Sequence, residues 1–265
     1  MMRTLLSKTL YDKRWFTLGW SLVIVFTVVL TIAFYPSFSQ GDTFEKLSQS
    51  APGQLKGFIG DEASFHTIQG YTAEQLYNFR IPLMLLIMAL VLAQGLTVSD
   101  EEKGTLRTLA ALPLSRSRIL WEKWLAGIII FTITIVVAVL SGYITGLAIN
   151  ETVSLDFSWK IAVVSWLFAL AAFSIMYAIG AASGSRSLTL TIGLIIIMGG
   201  FILTTFGTSV DWLKDWQPLS LMHYADTASI VKNNSLDRLN LWVLAALGAL
   251  SQLVAVVLFR RRDIS

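Results

Sequence analysis

The 265-residue sequence contains no cysteine, which excludes a disulfide framework, a thiol nucleophile and a zinc–thiolate site. Charged residues make up only 14% of the chain and hydrophobic residues 55%, whereas about a quarter of the residues of a soluble domain are charged. The mean hydropathy is +0.66. This composition indicates a protein whose solvent is lipid.

The sequence also lacks a GxxxxGK[ST] phosphate-binding loop, so it cannot bind ATP by that means. It does contain six apolar segments that are long enough to cross a membrane, which takes about 20 residues. We therefore predict an all-α membrane protein forming a single domain over residues 1–265. The predicted spans are 16–35, 81–98, 124–149, 161–182, 188–207 and 239–259.

Within these boundaries no span contains Asp, Glu, Lys, Arg or His. Carriers that run on ion gradients usually place an ionisable residue inside the membrane, where the coupling ion binds. The uncharged spans therefore count against a gradient-driven carrier or channel, which remains an alternative. If the protein moves a solute uphill, the energy must come from another polypeptide.

Six spans place both termini on the same side of the membrane. Thirteen of the 20 Lys and Arg residues fall in the terminal segments and in the segments after spans 2 and 4. The positive-inside rule therefore predicts that both termini and residues 99–123 face the cytoplasm of a cell (inner or plasma) membrane. Residues 3–14 combine leucines with basic residues and can form an amphipathic helix in the headgroup zone; a plain extension of the first span is equally compatible.

Residues 99–123 are the densest block of charge in the chain. Ser99 followed by Glu102 fits a capping box at the start of a helix, and Pro113 would end that helix. Ser115 or Ser117 can cap the next helix. A capped turn lying on lipid headgroups is the alternative to a docking helix. The helix would present one apolar face, formed by Leu106, Leu109 and Leu112.

The stretch from Glu101 to Lys123 resembles the signature of ABC-2-type permeases, the membrane subunits of ABC exporters, including exporters of antibiotics. The loop before span six carries a looser likeness at residues 218–224. The resemblance implies an N-terminal elbow helix, a cytoplasmic coupling helix between spans 2 and 3, and re-entrant or short helices before span 6. The residues that match the signature are Glu101, Glu102, Gly104, Thr105, Leu106, Leu109, Pro113, Ser115 and Arg116.

The resemblance further implies that the coupling helix docks on a separate ABC ATP-binding subunit. Two permeases, identical or different, would then assemble with two ATP-binding subunits. ATP and magnesium would bind to that partner, so this chain would need no cofactor or metal and would not itself be an enzyme. Membrane lipid is the other expected partner, and no nucleic acid is expected.

The cargo is less well defined by the sequence. Apolar spans suit an amphiphilic or hydrophobic substrate, such as an antibiotic, a lipid or a peptide. Gln94, Tyr177 and Gln252 are polar residues within spans and are candidates for the substrate path, although polar groups between helices can equally form packing hydrogen bonds.

A membrane-embedded hydrolase is a further alternative. Ser220, His223 and Asp226 lie close together in the last external loop and have the composition of a catalytic triad. Such residues often occur together in polar loops by chance, and the sequence shows no recognisable oxyanion element.

Overall fold

The computed structural model describes residues 4–39, 67–99, 115–207 and 210–261. Within these ranges the chain is helical, without strands. Six of the helical segments are long and apolar enough to cross a membrane. The predicted all-α fold with six spans is confirmed.

The chain forms eleven α-helices within the described ranges, with a π-helix at Ala73–Tyr77 and 3₁₀ helices at Gln217–Leu219 and Leu221–Ala225. Several short helices therefore precede the last span. The α-helices are α1 (Leu5–Asp12), α2 (Arg14–Ala33), α3 (Tyr35–Ser39), α4 (Ile68–Thr72), α5 (Arg80–Leu96), α6 (Arg116–Ala148), α7 (Leu155–Ser183), α8 (Arg186–Phe206), α9 (Asp211–Lys214), α10 (Ala228–Asn233) and α11 (Arg238–Arg261).

Short polar side chains set the start of the helices. The hydroxyl groups of Thr4, Ser154 and Ser185 accept hydrogen bonds from backbone amides in the first turns of α1, α7 and α8. These bonds satisfy amides that have no partner within the helix. Helix α7 ends at Gly184, whose φ of 58° is left-handed and accessible to glycine without strain. A tight connection from α7 to α8 results.

Several helical segments begin before the predicted apolar spans; α7, for example, begins at Leu155. Helix α6 begins at Arg116, as the predicted cap at Ser115 requires, so residues 116–123 form its first turns ahead of the predicted apolar span 124–149. The second candidate span runs from Ile68 to Leu96, well before residue 81. It contains Glu74 and Arg80, and so it includes the ionisable residues that the sequence boundaries had placed outside the spans.

Helix α7 lies at the centre of the bundle and is the most buried of the six long segments. It packs against α5, α6, α8 and α11. Phe173 on α7 is fully buried, with its ring 5.6 Å from that of Phe131 and 5.4 Å from that of Tyr177. Gly127 on α6 makes room for this ring, because a Cβ there would lie 2.3 Å from its Cζ atom.

The bundle has two distinct ends. At the end reached by the last turns of α2 and α6, the Gln69 side chain donates to the Thr152 carbonyl at 3.1 Å. There the buried Lys160 ammonium binds Asp156 and donates to the Asn234 carbonyl at 2.8 Å. We call this the distal end. The opposite end, where α5 finishes and α6 begins, is called the basal end.

Candidate functional site

Residues 100–114, which include most of the predicted coupling residues, lie outside the described residues. This applies to Glu101, Glu102, Gly104, Thr105, Leu106, Leu109 and Pro113. The structure does describe the two stems of this segment, residues 96–99 and 115–118. The first stem is held by a buried contact at the basal end, and the second stem by exposed hydrogen bonds there.

The first stem is fixed where α5 ends. The Lys123 ammonium on α6 donates a hydrogen bond to the Leu96 carbonyl at 3.0 Å, and Lys123 is only 4% exposed. A cation is favoured there because the last carbonyls of a helix carry partial negative charge. On the other side, Thr97 packs against Gly180 of α7 so closely that a Cβ at residue 180 would lie 2.3 Å from the Thr97 hydroxyl. The first stem is thus joined to both α6 and α7.

The second stem is the start of α6. Of the two predicted caps, Ser115 is the one used, because its hydroxyl accepts from the Arg118 amide at 3.3 Å. Ser117 instead accepts a 2.7 Å hydrogen bond from the Arg260 guanidinium at the end of α11. Arg116 is exposed on the first turn of the helix. The second stem therefore contacts the last described helix of the chain.

Helix α1 docks beside the second stem. One carboxylate oxygen of Glu122 accepts from the Leu6 amide at 3.0 Å, and the other accepts from the Arg118 guanidinium at 2.8 Å. Leu6 is in the first turn of α1, where backbone amides lack helical partners and the dipole favours an anion. Glu122 therefore joins α1 to α6.

These contacts place the first and last described helices at the basal end, together with both stems. We call the contacts of Lys123, Glu122 and Ser117 the basal frame. The basal frame thus joins the two stems of residues 100–114 to α5, α6, α1 and the end of α11. Among the described residues no cluster of His, Asp or Glu could hold a metal ion.

The three predicted substrate-path residues are dispersed within the bundle. Tyr177 is 1% exposed, and its hydroxyl donates to the Leu120 carbonyl at 3.0 Å. Gln252 is fully buried, and among the described residues neither atom of its amide has a hydrogen-bond partner. The amide nitrogen of Gln94 is likewise buried without a partner there. The structure thus gives Tyr177 a packing contact and leaves the roles of both glutamines open.

The candidate triad does not assemble in the described structure. The Ser220 hydroxyl donates to the Gly200 carbonyl at 3.0 Å and lies 2.8 Å from the Thr204 hydroxyl. The His223 ring stacks edge-on with Tyr224, and among the described side chains none of the hydrogen bonds joins it to Ser220. The serine thus anchors the loop to α8 and gives no support to a hydrolase.

Sequence reasoning missed the residues of the basal frame. In the sequence, Lys123 and Glu122 belong to the charged block of residues 99–123, and Arg260 is one of the basic residues of the terminal segments. Lysine and glutamate are almost never fully buried without a partner. The sequence signal for their contacts is therefore that these residues lie at the edge of an apolar run, where they can be buried.

The fold defines a multi-pass membrane protein with both described ends at one side of the bundle. Residues 4–264 match the family model described as "ABC-2 family transporter protein", and the chain belongs to that family. No curated protein matches the chain. Membership identifies the chain as a membrane transport subunit of an ABC system and implies association with an ABC ATP-binding subunit.

Proposed function

We propose that this chain is the permease subunit of an ATP-driven exporter, powered by an ATP-binding subunit that docks on residues 100–114. The observation that carries the proposal is the basal frame. Both stems of the segment are fixed to the helix bundle, which a docking element needs in order to transmit movement. A loosely attached loop would absorb the displacement instead.

The docking contact is proposed to combine an apolar centre with charged flanks. The leucines at 106 and 109 would enter a groove on the partner, where desolvated apolar anchors contribute most of the affinity. Glu101, Glu102 and Arg116 would set the register through charge complementarity. Gly104 would permit close approach of the backbone.

The basal end is proposed to face the cytoplasm, because it holds the basic termini and the ATP-binding partner must lie there. Two permeases and two ATP-binding subunits would form the working unit, with ATP and magnesium bound to the partner. The cargo is proposed to be an amphiphile or a hydrophobic compound, in keeping with the apolar spans. Gln94, Tyr177 and Gln252 remain candidates for its path.

The test compares ATP hydrolysis and transport in proteoliposomes that contain the permease and its ATP-binding partner. The double variant Leu106→Asp with Leu109→Asp should insert normally but lose stimulation of ATP hydrolysis by the permease, together with transport. Leu219→Asp is the matched control, because Leu219 is 71% exposed and lies far from the basal end. Normal coupling in the double variant, or ATP-independent transport by the permease alone, would refute the proposal.

A further inference from the structure

A cavity of about 400 Å³ lies between α2 and the helical segment that precedes α5. Its volume falls within the roughly 300–1,000 Å³ range of small-molecule sites. One wall is apolar and is formed by Phe26, Leu30 and Phe34 of α2, which are between 47% and 67% exposed. The facing wall is polar and includes Gln75 and Arg80.

Among the described residues that line the cavity, Arg80 alone is charged. Its guanidinium donates one hydrogen bond, to the Thr31 hydroxyl at 3.0 Å, and the Tyr71 hydroxyl donates to the Thr31 carbonyl at 3.1 Å. Among the described residues no carboxylate forms an ion pair with Arg80. A guanidinium has five donors, so most of its donors have no acceptor among the residues that the structure describes.

The depth of Arg80 matters because a charge is costly within the membrane core. From Arg14 at the start of α2 to Thr31, the helix rises roughly 25 Å at 1.5 Å per residue. The hydrocarbon core is about 30 Å thick. Arg80, which is bonded to Thr31, therefore lies near the distal boundary of the core, at the level where lipid headgroups meet acyl chains.

We propose that this cavity binds one anionic amphiphile. Its phosphate or carboxylate would take the free donors of Arg80, and its chain would lie along the exposed wall of Phe26, Leu30 and Phe34. The site combines an apolar wall with a positive charge that no described carboxylate balances. At this depth in the membrane an anionic amphiphile has its negative headgroup next to its apolar chain, so it complements both parts of the site. This proposal concerns binding alone and does not depend on coupling to an ATP-binding subunit.

The experiment is native mass spectrometry of the full-length protein in detergent, titrated with dioleoyl phosphatidylglycerol. Arg80→Gln should weaken the tightest lipid binding at least about tenfold, since hydrogen bonds to charged groups are worth about 1.5–3 kcal/mol. Arg238→Gln is the matched control, because Arg238 is exposed near the same end of the bundle but lies outside the cavity. It should retain the affinity of the unchanged protein.

Two further comparisons separate a ligand site from a structural role or a general lipid contact. Thr31→Val removes the acceptor of the Arg80 bond but keeps the charge, so it should retain binding if the charge recognises the ligand. Leu30→Asn should weaken binding, whereas Leu250→Asn on the exposed face of α11 should not. The comparison of Leu30→Asn with Leu250→Asn also tests the proposal if Arg80→Gln does not yield folded protein.

Equal losses in Arg80→Gln and Arg238→Gln would show non-specific attraction of anionic lipid and overturn the proposal. Loss of binding in Thr31→Val equal to that in Arg80→Gln would assign Arg80 a structural role. Inorganic phosphate, added as a competitor, should displace the lipid poorly; displacement at similar concentration would identify a free-anion site. Dioleoyl phosphatidylcholine should bind more weakly than phosphatidylglycerol, and equal affinity would contradict recognition of net negative charge.

Discussion

Replacing Glu122 tests whether the basal frame holds α1 in place. Glu122 accepts from the Leu6 amide at 3.0 Å and pairs with Arg118. Its side chain is 16% exposed and that of Arg118 is 60% exposed. The two contacts therefore contribute different stabilising free energies. The hydrogen bond from the Leu6 amide to the shielded carboxylate contributes about 1.5–3 kcal/mol, and the exposed i,i+4 pair with Arg118 about 0.3–0.5 kcal/mol.

Glu122→Ala should lower the free energy that keeps α1 docked by about 1.5–3 kcal/mol. Helix α1 has 8 residues, and helices shorter than about 12–15 residues are marginal in isolation. Undocked α1 should therefore unfold and exchange its amide hydrogens. The expected result is roughly 13- to 160-fold faster exchange across residues 5–12.

Two graded variants make the prediction refutable by hydrogen-exchange mass spectrometry in detergent or nanodiscs. Glu122→Gln keeps an acceptor oxygen and loses the charge, so its effect should be about 1 kcal/mol, or roughly fivefold. Arg118→Ala should accelerate exchange only about twofold. If Glu122→Ala and Arg118→Ala had the same effect, the Leu6 contact would not be what holds α1 to α6.

Three further predictions address packing, buried polarity and orientation. Gly127→Ala should destabilise the protein by about 1–3 kcal/mol, because the buried phenyl ring of Phe173 must move. Gly199→Ala should not, because a Cβ there meets open space. Thermal unfolding in detergent compares the two variants. Gln252→Leu should stabilise the bundle by about 1–2 kcal/mol by removing an unsatisfied amide, and a lower unfolding temperature would show that the amide has a partner. Since the chain lacks cysteine, Ser117→Cys should be protected from an impermeant maleimide in intact cells and Ser235→Cys labelled; the reverse pattern would invert the proposed orientation.

The spans were predictable because composition alone decides where lipid replaces water. Residues 188–207, for example, are almost coincident with α8. Helices extend beyond these apolar runs, since α6 begins with amphipathic turns that a search for apolar runs discards. The helical path before residue 81 is similar, because Glu74 and Arg80 interrupt the apolar pattern without interrupting that path.

Contacts of the candidate site could not be read from local patterns. Leu6 and Glu122 are 116 residues apart, and Ser117 and Arg260 are 143 apart. Such pairs arise only when the helices are packed, and a charged side chain beside a span has the same sequence pattern whether it faces water or binds a helix end. The cap at Ser115 was predictable because its bond spans three residues.

One boundary between helices, that between α2 with α6 and α5 with α7, runs from the basal end of the bundle to the distal end. Helix α2 packs on α6, whereas α5 and α11 pack on α7. At the basal end the buried Lys123–Leu96 bond joins α6 to α5. At the distal end the same boundary holds the cavity, with Arg80 and Tyr71 reaching across to Thr31. We expect a displacement of residues 100–114 by the ATP-binding partner to be transmitted along this boundary to the cavity. The affinity for anionic lipid should then differ with and without the partner, and an unchanged affinity would show that the two ends move independently.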